Sequence, residues 1–370
     1  MNLNYLKRNK ISVCIPTYNN IEGLLALLGS LQNQTIFKDL NILISDNGSI
    51  DNVESTIYEK FKIFKKNPSF EYVYHAKNYG STWAYHYLTN RANGEFFCCL
   101  PSDTKVRPTY FEKLRNILKT DKDAVGAYSG FIALYNNGET KYHNDNYTMQ
   151  SSNAHTRISN MVGKMDKGTA LFGLYNTFNI KKVFQFSPAQ CLNLWSSDRL
   201  HHLGDTQFLI SLLTQGTIVQ ISDHLLERQL EDGSGSGLDR MDGFLNAERN
   251  CRGLSFIKGL DMIITNLYQE TLKIEEIEKL DNLICNQIIT AYQKEINKEI
   301  DFLLSTLEKD EWHLRYDSSK NEKSKKERSE STGKLESFFK SKILIEAIIA
   351  RRYVKNEKLE KIIQLCEKTP

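Results

Sequence analysis

Phe96-Phe97-Cys98-Cys99-Leu100-Pro101-Ser102-Asp103-Thr104 runs five apolar residues into a polar corner that carries a single carboxylate. An uninterrupted apolar run of this length predicts a strand buried on both faces, as in a parallel sheet covered by helices. In open α/β sheets, ligands gather just beyond the carboxyl ends of such strands. Asp103 is therefore a candidate for holding a cation or a polar substrate. The plain alternative is an aspartate that caps a turn.

Upstream, the chain alternates strand and helix signals. Ile11-Ser12-Val13-Cys14-Ile15-Pro16 reads as a β-branched strand stopped by proline, and Thr17-Tyr18-Asn19-Asn20 as the turn after it. Leu24, Leu27, Leu28 and Leu31 recur at helical spacing between Glu22 and Gln34. Leu40 to Ser45 is a second strand, ending in the turn-forming Asp46-Asn47-Gly48-Ser49-Ile50-Asp51, with Asp51 in position to cap the next helix. Phe70 to His75 is a third strand, followed by the turn Asn78-Tyr79-Gly80-Ser81 and a helix over Thr82 to Ala92 that Gly94 is expected to close. This β-α-β-α-β-α-β order predicts a parallel sheet with right-handed crossovers. It also places Thr17, Tyr18, Asp46, Lys77, Asn78 and Asp103 on one rim of the sheet, a concentration that turns alone do not require.

Downstream, Arg107-Pro108 opens a helix with Phe111, Leu114 and Leu118 on one face, with Pro108 in its first turn. Ala124 to Tyr135 reads as strand, with Asn136-Asn137-Gly138 as a hairpin turn. Asn144 to Lys167 is polar with little period and reads as a loop, which makes His155 and Arg157 candidates for touching substrate. Gly168 to Asn179 reads as a buried strand, and Asp205 to Gln215 as a helix whose dipole favours Asp205 in its first turn. The glycine-rich stretch Asp232–Gly237 reads as a flexible crossing or lid. Lys273 to Leu307 is patterned as a long amphipathic helix. Asp317 to Lys334 reads as a charged linker, and Leu335 to Cys366 as a further helix with interleaved basic residues. That last helix is equally suited to an anionic membrane surface, to docking on its own protein, or to dimerisation.

Across 370 residues, 40% hydrophobic and 25% charged content is that of a globular protein. A net charge of +3 is too small to argue for nucleic acid. Seven scattered cysteines without a CxxC pair suit a reducing compartment. Met1 to Lys10 lacks the apolar core of a signal peptide, and no apolar run approaches the ~20 residues of a membrane span. A cytoplasmic location is expected, with peripheral attachment to the inner face of the cell membrane as its variant.

Together, Ile11–Asn20, Ser30–Thr35, Leu43–Asp51, Asn78–Gly80, Asn93-Gly94-Glu95 and Leu100–Asp103 resemble, in order and spacing, a family 2 glycosyltransferase with the GT-A fold. The resemblance is strongest over residues 11–108 and continues less closely to Leu226-Glu227-Arg228. It implies a Rossmann-like, mostly parallel α/β sheet flanked by helices, with a helical C-terminal extension. The implied organisation is a catalytic domain over 1–250, split into a nucleotide-sugar half (1–105) and an acceptor half (106–250). A helical extension (251–316), a charged linker (317–334) and a basic amphipathic helix (335–370) follow. The resemblance further implies that Pro16, Thr17, Tyr18 and Asp46 hold the base and ribose, with the Tyr18 ring stacking on the base and Asp46 accepting from an imide N–H. Lys77 and Asn78 fall on the diphosphate side. Ser102 and Asp103 match the DxD motif, so Asp103 would meet the ribose and a Mg2+ or Mn2+ ion. Asp205 matches the base of inverting members.

The implied activity is transfer of a sugar from a nucleotide donor, UDP-linked by expectation, to a hydroxyl of a bacterial surface glycan or lipid-linked acceptor. The alternative from another class is a non-catalytic sugar-nucleotide-binding scaffold. Three departures bear on this choice. The DxD position keeps only Asp103, only Asp205 stands before the base helix, and Arg228-Gln229-Leu230 lacks the histidine of an Arg-x-His motif, with His224 upstream.

Overall fold

The computed structural model describes residues 6–143, 149–162, 169–183 and 208–230, together with parts of 278–308 and 344–367. The chain divides into two compact units, Met1–His201 with Phe208–Gly233, and His202–Gln207 with Ser234–Pro370.

The first unit is built on a nine-stranded sheet among the described residues. Its strands are β1 (Lys7–Thr17), β2 (Leu40–Asp46), β3 (Phe70–Tyr74), β4 (Gly94–Cys99), β5 (Thr104–Val106), β6 (Ala124–Tyr135), β7 (Thr140–His143), β8 (Leu174–Asn176) and β9 (Thr217–Leu230). They lie in the order β3-β2-β1-β4-β8-β6-β9-β5, with β7 paired to β6. The first four are parallel, as the alternating sequence predicts. β8 runs antiparallel to both β4 and β6 and joins the parallel half to the rest. The sheet is thus mostly parallel, with helices α1 (Ile21–Gln32), α2 (Val53–Lys60), α3 (Ser81–Arg91) and α4 (Tyr110–Thr120) as its crossovers.

The apolar run Phe96–Leu100 is buried on both faces: Phe97, Cys98 and Leu100 are fully enclosed. On one side Leu24, Leu27, Leu28 and Leu31 of α1 and Phe111 and Leu114 of α4 share its core with Ile11, Val13 and Ile15 of β1. Burial raises the Cys14, Cys98 and Cys99 thiols well above their usual range, so these cysteines are inert apolar fill.

Several local expectations are corrected. Gly94 does not close α3; that helix ends at Arg91, and Gly94 is the first residue of β4. Its φ is not left-handed. A Cβ there would stand 2.7 Å from the Lys10 carbonyl oxygen and 2.8 Å from Ser12 N, so close backbone approach is what requires glycine. Gly94→Ala is expected to destabilise the unit by about 1–3 kcal/mol through this overpacking, read as a lowered urea midpoint. Asp51 does not cap α2; the cap position is Asn52, and Asp51 contributes only its carbonyl, to Val53 N–H. α4 begins at Tyr110, two residues after Pro108, with Thr109 at its cap.

The segment 168–179 is not one strand. It divides into a 3-10 turn (Ala170–Phe172), β8 and helix α6 (Thr177–Val183). The stretch read as a loop contains helix α5 (Ala154–Val162), because Asn153 takes the Thr156 N–H on its side-chain oxygen and starts it.

In the second unit, the expected continuous helix over Leu335–Cys366 is interrupted within its described part. Residues 347–351 are helical, and a separate helix, Glu357–Glu367, follows. Asn356 accepts the Lys358 N–H at 2.9 Å and caps the new helix. Leu359, Ile362 and Ile363 are buried, and Lys358 and Lys361 pair with Asp301 and Glu308. This last segment therefore packs on its own chain through Leu359, Ile362 and Ile363. The linker 317–334, the glycine-rich stretch 232–237 and Leu335–Ile343 lie outside the described residues.

Candidate active site

The carboxyl ends of β1, β2, β3 and β4 each release a loop, and hydrogen bonds tie these loops to one another. Thr17 and Asp46 are register partners at the ends of β1 and β2. Asn19 N–H donates to Ser49 Oγ at 2.9 Å, and Ile50 N–H donates to Asn19 Oδ1 at 3.0 Å. Beside this double clasp Tyr18 is 48% exposed, and an exposed tyrosine can present its ring face to a planar ligand.

Asp46 is fully buried. Its Oδ1 accepts the Ser49 N–H at 2.8 Å and its Oδ2 accepts the Tyr72 hydroxyl at 2.5 Å. Burial, reinforced by that hydrogen bond and the Asp46 charge, raises the Tyr72 pKa and keeps the phenol a donor. Next to it, Ser45 Oγ meets His75 Nε2 at 3.0 Å; burial lowers the His75 pKa, with Asp46 pulling the other way. Asp46 therefore braces the rim, a role its position at a strand end does not reveal.

Asn47 carries the tie to the third loop. Its side chain donates to Asn78 Oδ1 at 2.8 Å and to the Gly80 carbonyl at 3.0 Å, and accepts the Tyr79 N–H at 3.1 Å. Gly48 takes a φ of +88°, and a Cβ there would come within 2.8 Å of the Lys77 backbone, so glycine lets the two loops touch. Lys77 extends over the Tyr79 ring, its Nζ 4.9 Å from the centroid. The Tyr79 ring in turn stacks on Trp83, and Trp83 on Tyr87.

The fourth loop carries Ser102 and Asp103. Asn20 caps α1 through its side-chain oxygen, which accepts the Gly23 N–H at 3.2 Å, while its amide donates to Ser102 Oγ at 3.1 Å. Asp103 faces β9. β5 pairs antiparallel with β9, Thr104 opposite Arg228, and this register brings Arg228 Nη2 to 3.0 Å from Asp103 Oδ2. The guanidinium also lies over the Phe172 ring, 5.0 Å from its centroid. Asp103 Oδ1 and Arg228 Nε are both buried without a hydrogen-bond partner.

The sequence-predicted residues Pro16, Thr17, Tyr18, Asp46, Lys77, Asn78, Ser102 and Asp103 thus stand on one rim, linked through Asn19, Asn20 and Asn47. Asp205 lies outside the described residues. Arg157 does not reach for substrate. It is buried, and its guanidinium donates to the carbonyls of Leu213, Ser151 and Ser152. His155 shares helix α5 with it. His224 packs edge-on against Tyr142, its Nε2 buried. The sequence reading missed Asn20, Asn47 and Tyr72; only the first two carried a signal, as turn-forming asparagines after strands.

A hard divalent cation needs several oxygen ligands. Asp103 offers one carboxylate, half of it engaged by a guanidinium, and no group of three His, Cys, Asp or Glu that suits a metal occurs among the described residues. These residues do not fit the Mg2+ or Mn2+ site that the DxD position implies.

The sequence model of the glycosyl transferase family 2 matches residues 12–184. Residues 12–184 form a family 2 glycosyl transferase domain. An uncharacterized glycosyltransferase of Mycoplasma pneumoniae is 39% identical over 121 residues, covering 31% of this chain and 39% of that protein. The abequosyltransferase RfbV of Salmonella typhimurium is 32% identical over 126 residues, covering 31% of this chain and 37% of that protein. The chain therefore spans well under half the length of these curated relatives. Among solved structures, S. aureus TarS 1-349 superposes with a TM-score of 0.54 at 14% identity, over 80% of each chain. Its complex with UDP-GlcNAc gives the same values. At this identity the likeness establishes the GT-A fold of the family 2 domain.

Proposed function

We propose that the protein is an inverting glycosyltransferase that moves a sugar from a UDP-linked donor to a hydroxyl of a bacterial surface glycan or lipid-linked acceptor. The observation that carries this reading is the convergence of four strand-end loops into one braced rim with an exposed tyrosine ring, within a family 2 domain. UDP and UDP-GlcNAc complexes of TarS support a uridine nucleotide as donor, and the abequosyltransferase relative supports a glycan-building role.

In this reading the Tyr18 ring stacks on the base, and Asp46 and Thr17 shape the pocket wall behind it. Lys77, Asn78, Ser102 and Asp103 border the diphosphate and ribose. Asp205 takes the proton of the acceptor hydroxyl as that oxygen bonds to the anomeric carbon, and the bond from that carbon to the diphosphate oxygen breaks, releasing UDP with inversion. A cytoplasmic location, peripheral at the membrane, is part of the proposal. Among the described residues no helix is long and apolar enough to cross a membrane.

The test is incubation with a panel of UDP-sugars without acceptor, with UDP release followed in time. Slow, saturable release for one donor is the expected result. Tight binding without release under every metal condition sinks the catalytic reading and leaves a sugar-nucleotide-binding scaffold.

A further inference from the structure

Asp103 stands where family 2 members are expected to present an acidic motif to a metal ion, and in this chain its nearest cation is built in. The β5–β9 register sets Thr104 opposite Arg228 and delivers the guanidinium to Asp103 Oδ2 at 3.0 Å. The pair is partly enclosed, with side-chain exposures of 37% for Asp103 and 24% for Arg228. Phe172 covers one face of the guanidinium. Ser102 holds the place of the other acid and is itself engaged by the α1 cap residue Asn20.

We propose that Arg228 replaces the divalent ion, so that this chain binds the diphosphate of its nucleotide donor without a metal. Three observations carry this. First, a cation seated on Asp103 would share the carboxylate with a fixed positive charge, and the described residues offer it no group of three His, Cys, Asp or Glu. Second, an arginine presents five N–H donors in a planar fork suited to phosphate oxygens, and only one of them is used by Asp103. Third, two polar atoms of this pair are left without partners: Arg228 Nε, a donor suited to an anion, and Asp103 Oδ1, an acceptor suited to a hydroxyl. A phosphate oxygen on the guanidinium and a ribose hydroxyl on Oδ1 would satisfy both. Asp103 is then the positioning residue that aims Arg228, and Arg228 is the contact to the diphosphate.

The inference rests on the nucleotide reading of the site, and the experiment separates the two. UDP binding to the full chain is measured by calorimetry in EDTA and again in Mn2+, for the native protein and for Arg228→Gln, Arg228→Lys and Asp103→Asn/Arg228→Gln. The native affinity is expected to change less than threefold between the two buffers. Arg228→Gln is expected to lose at least tenfold in EDTA and to recover part of that in Mn2+, because Asp103 is then free to take an ion. Arg228→Lys keeps the charge without the fork and should fall between native and Arg228→Gln. The double variant removes both charges together, so it is measured if the single variant is unstable; it should lose affinity in EDTA and gain nothing from Mn2+. Native binding that strengthens tenfold or more in Mn2+ overturns the inference while leaving the nucleotide site standing. Unchanged EDTA affinity in Arg228→Gln, or in the double variant when that is the one measured, overturns it as well. Absence of UDP binding in both buffers overturns the nucleotide reading, and this inference with it.

Discussion

Arg157→Ala is expected to lower the stability of the sheet-bearing unit by about 3–5 kcal/mol, because hydrogen bonds to a charged group are worth about 1.5–3 kcal/mol each and this side chain makes several at once. Its guanidinium gathers the Leu213, Ser151 and Ser152 carbonyls, and truncation leaves three acceptors without donors. Burial pulls the Arg157 pKa down and the nearby Asp123 pulls it back up. Arg157→Lys should recover less than half of the loss, since an ammonium cannot reproduce the planar fork across carbonyls from two segments. Urea unfolding followed on the sheet domain checks this. A change below about 1 kcal/mol would mean that the guanidinium is not holding α5 to the helical segment 208–213, and would return Arg157 to the substrate candidates.

Asp205→Asn is expected to reduce sugar transfer by about 100- to 10,000-fold, the usual range for loss of a general base, while UDP affinity stays within twofold of the native value. The substitution is nearly isosteric and replaces one polar side chain by another, so folding is not at issue. A large fall in the catalytic constant with unchanged nucleotide binding assigns Asp205 to the acceptor proton. Retention of most of the transfer rate removes it from that role, and an equal loss of UDP affinity reassigns it to the donor side.

The parallel half of the sheet was legible because its signals are local. Apolar runs such as Ile11–Ile15 and Phe96–Leu100, each followed by a polar turn, can hardly be anything but buried strands, and leucines spaced as at positions 24, 27, 28 and 31 bury one helical face. Such strands end where their loops must emerge, so the rim residues Thr17, Asp46, Lys77 and Asp103 could be named from order alone. The second half carries weaker local signals. β8 is three residues long, and an asparagine side chain, Asn153, makes the difference between a polar loop and helix α5. In the tail, Asn356 does the same in reverse and breaks one predicted helix before its last segment.

The fold type, the rim and the types of chemistry available on it are written in local sequence, because the order of elements along the chain follows from periodicity within about ten residues at a time. What each polar group faces depends on contacts between elements far apart in the chain. Asp46 and Tyr72 meet across β2 and β3, Asn20 and Ser102 across a helix start and a strand end, and Asp103 and Arg228 across a register 125 residues apart in sequence. No local pattern encodes such partners, since a carboxylate reads the same whether a metal ion or a guanidinium stands opposite. The β5–β9 register makes that choice here, and it turns an incomplete acidic motif into a carboxylate that holds an arginine.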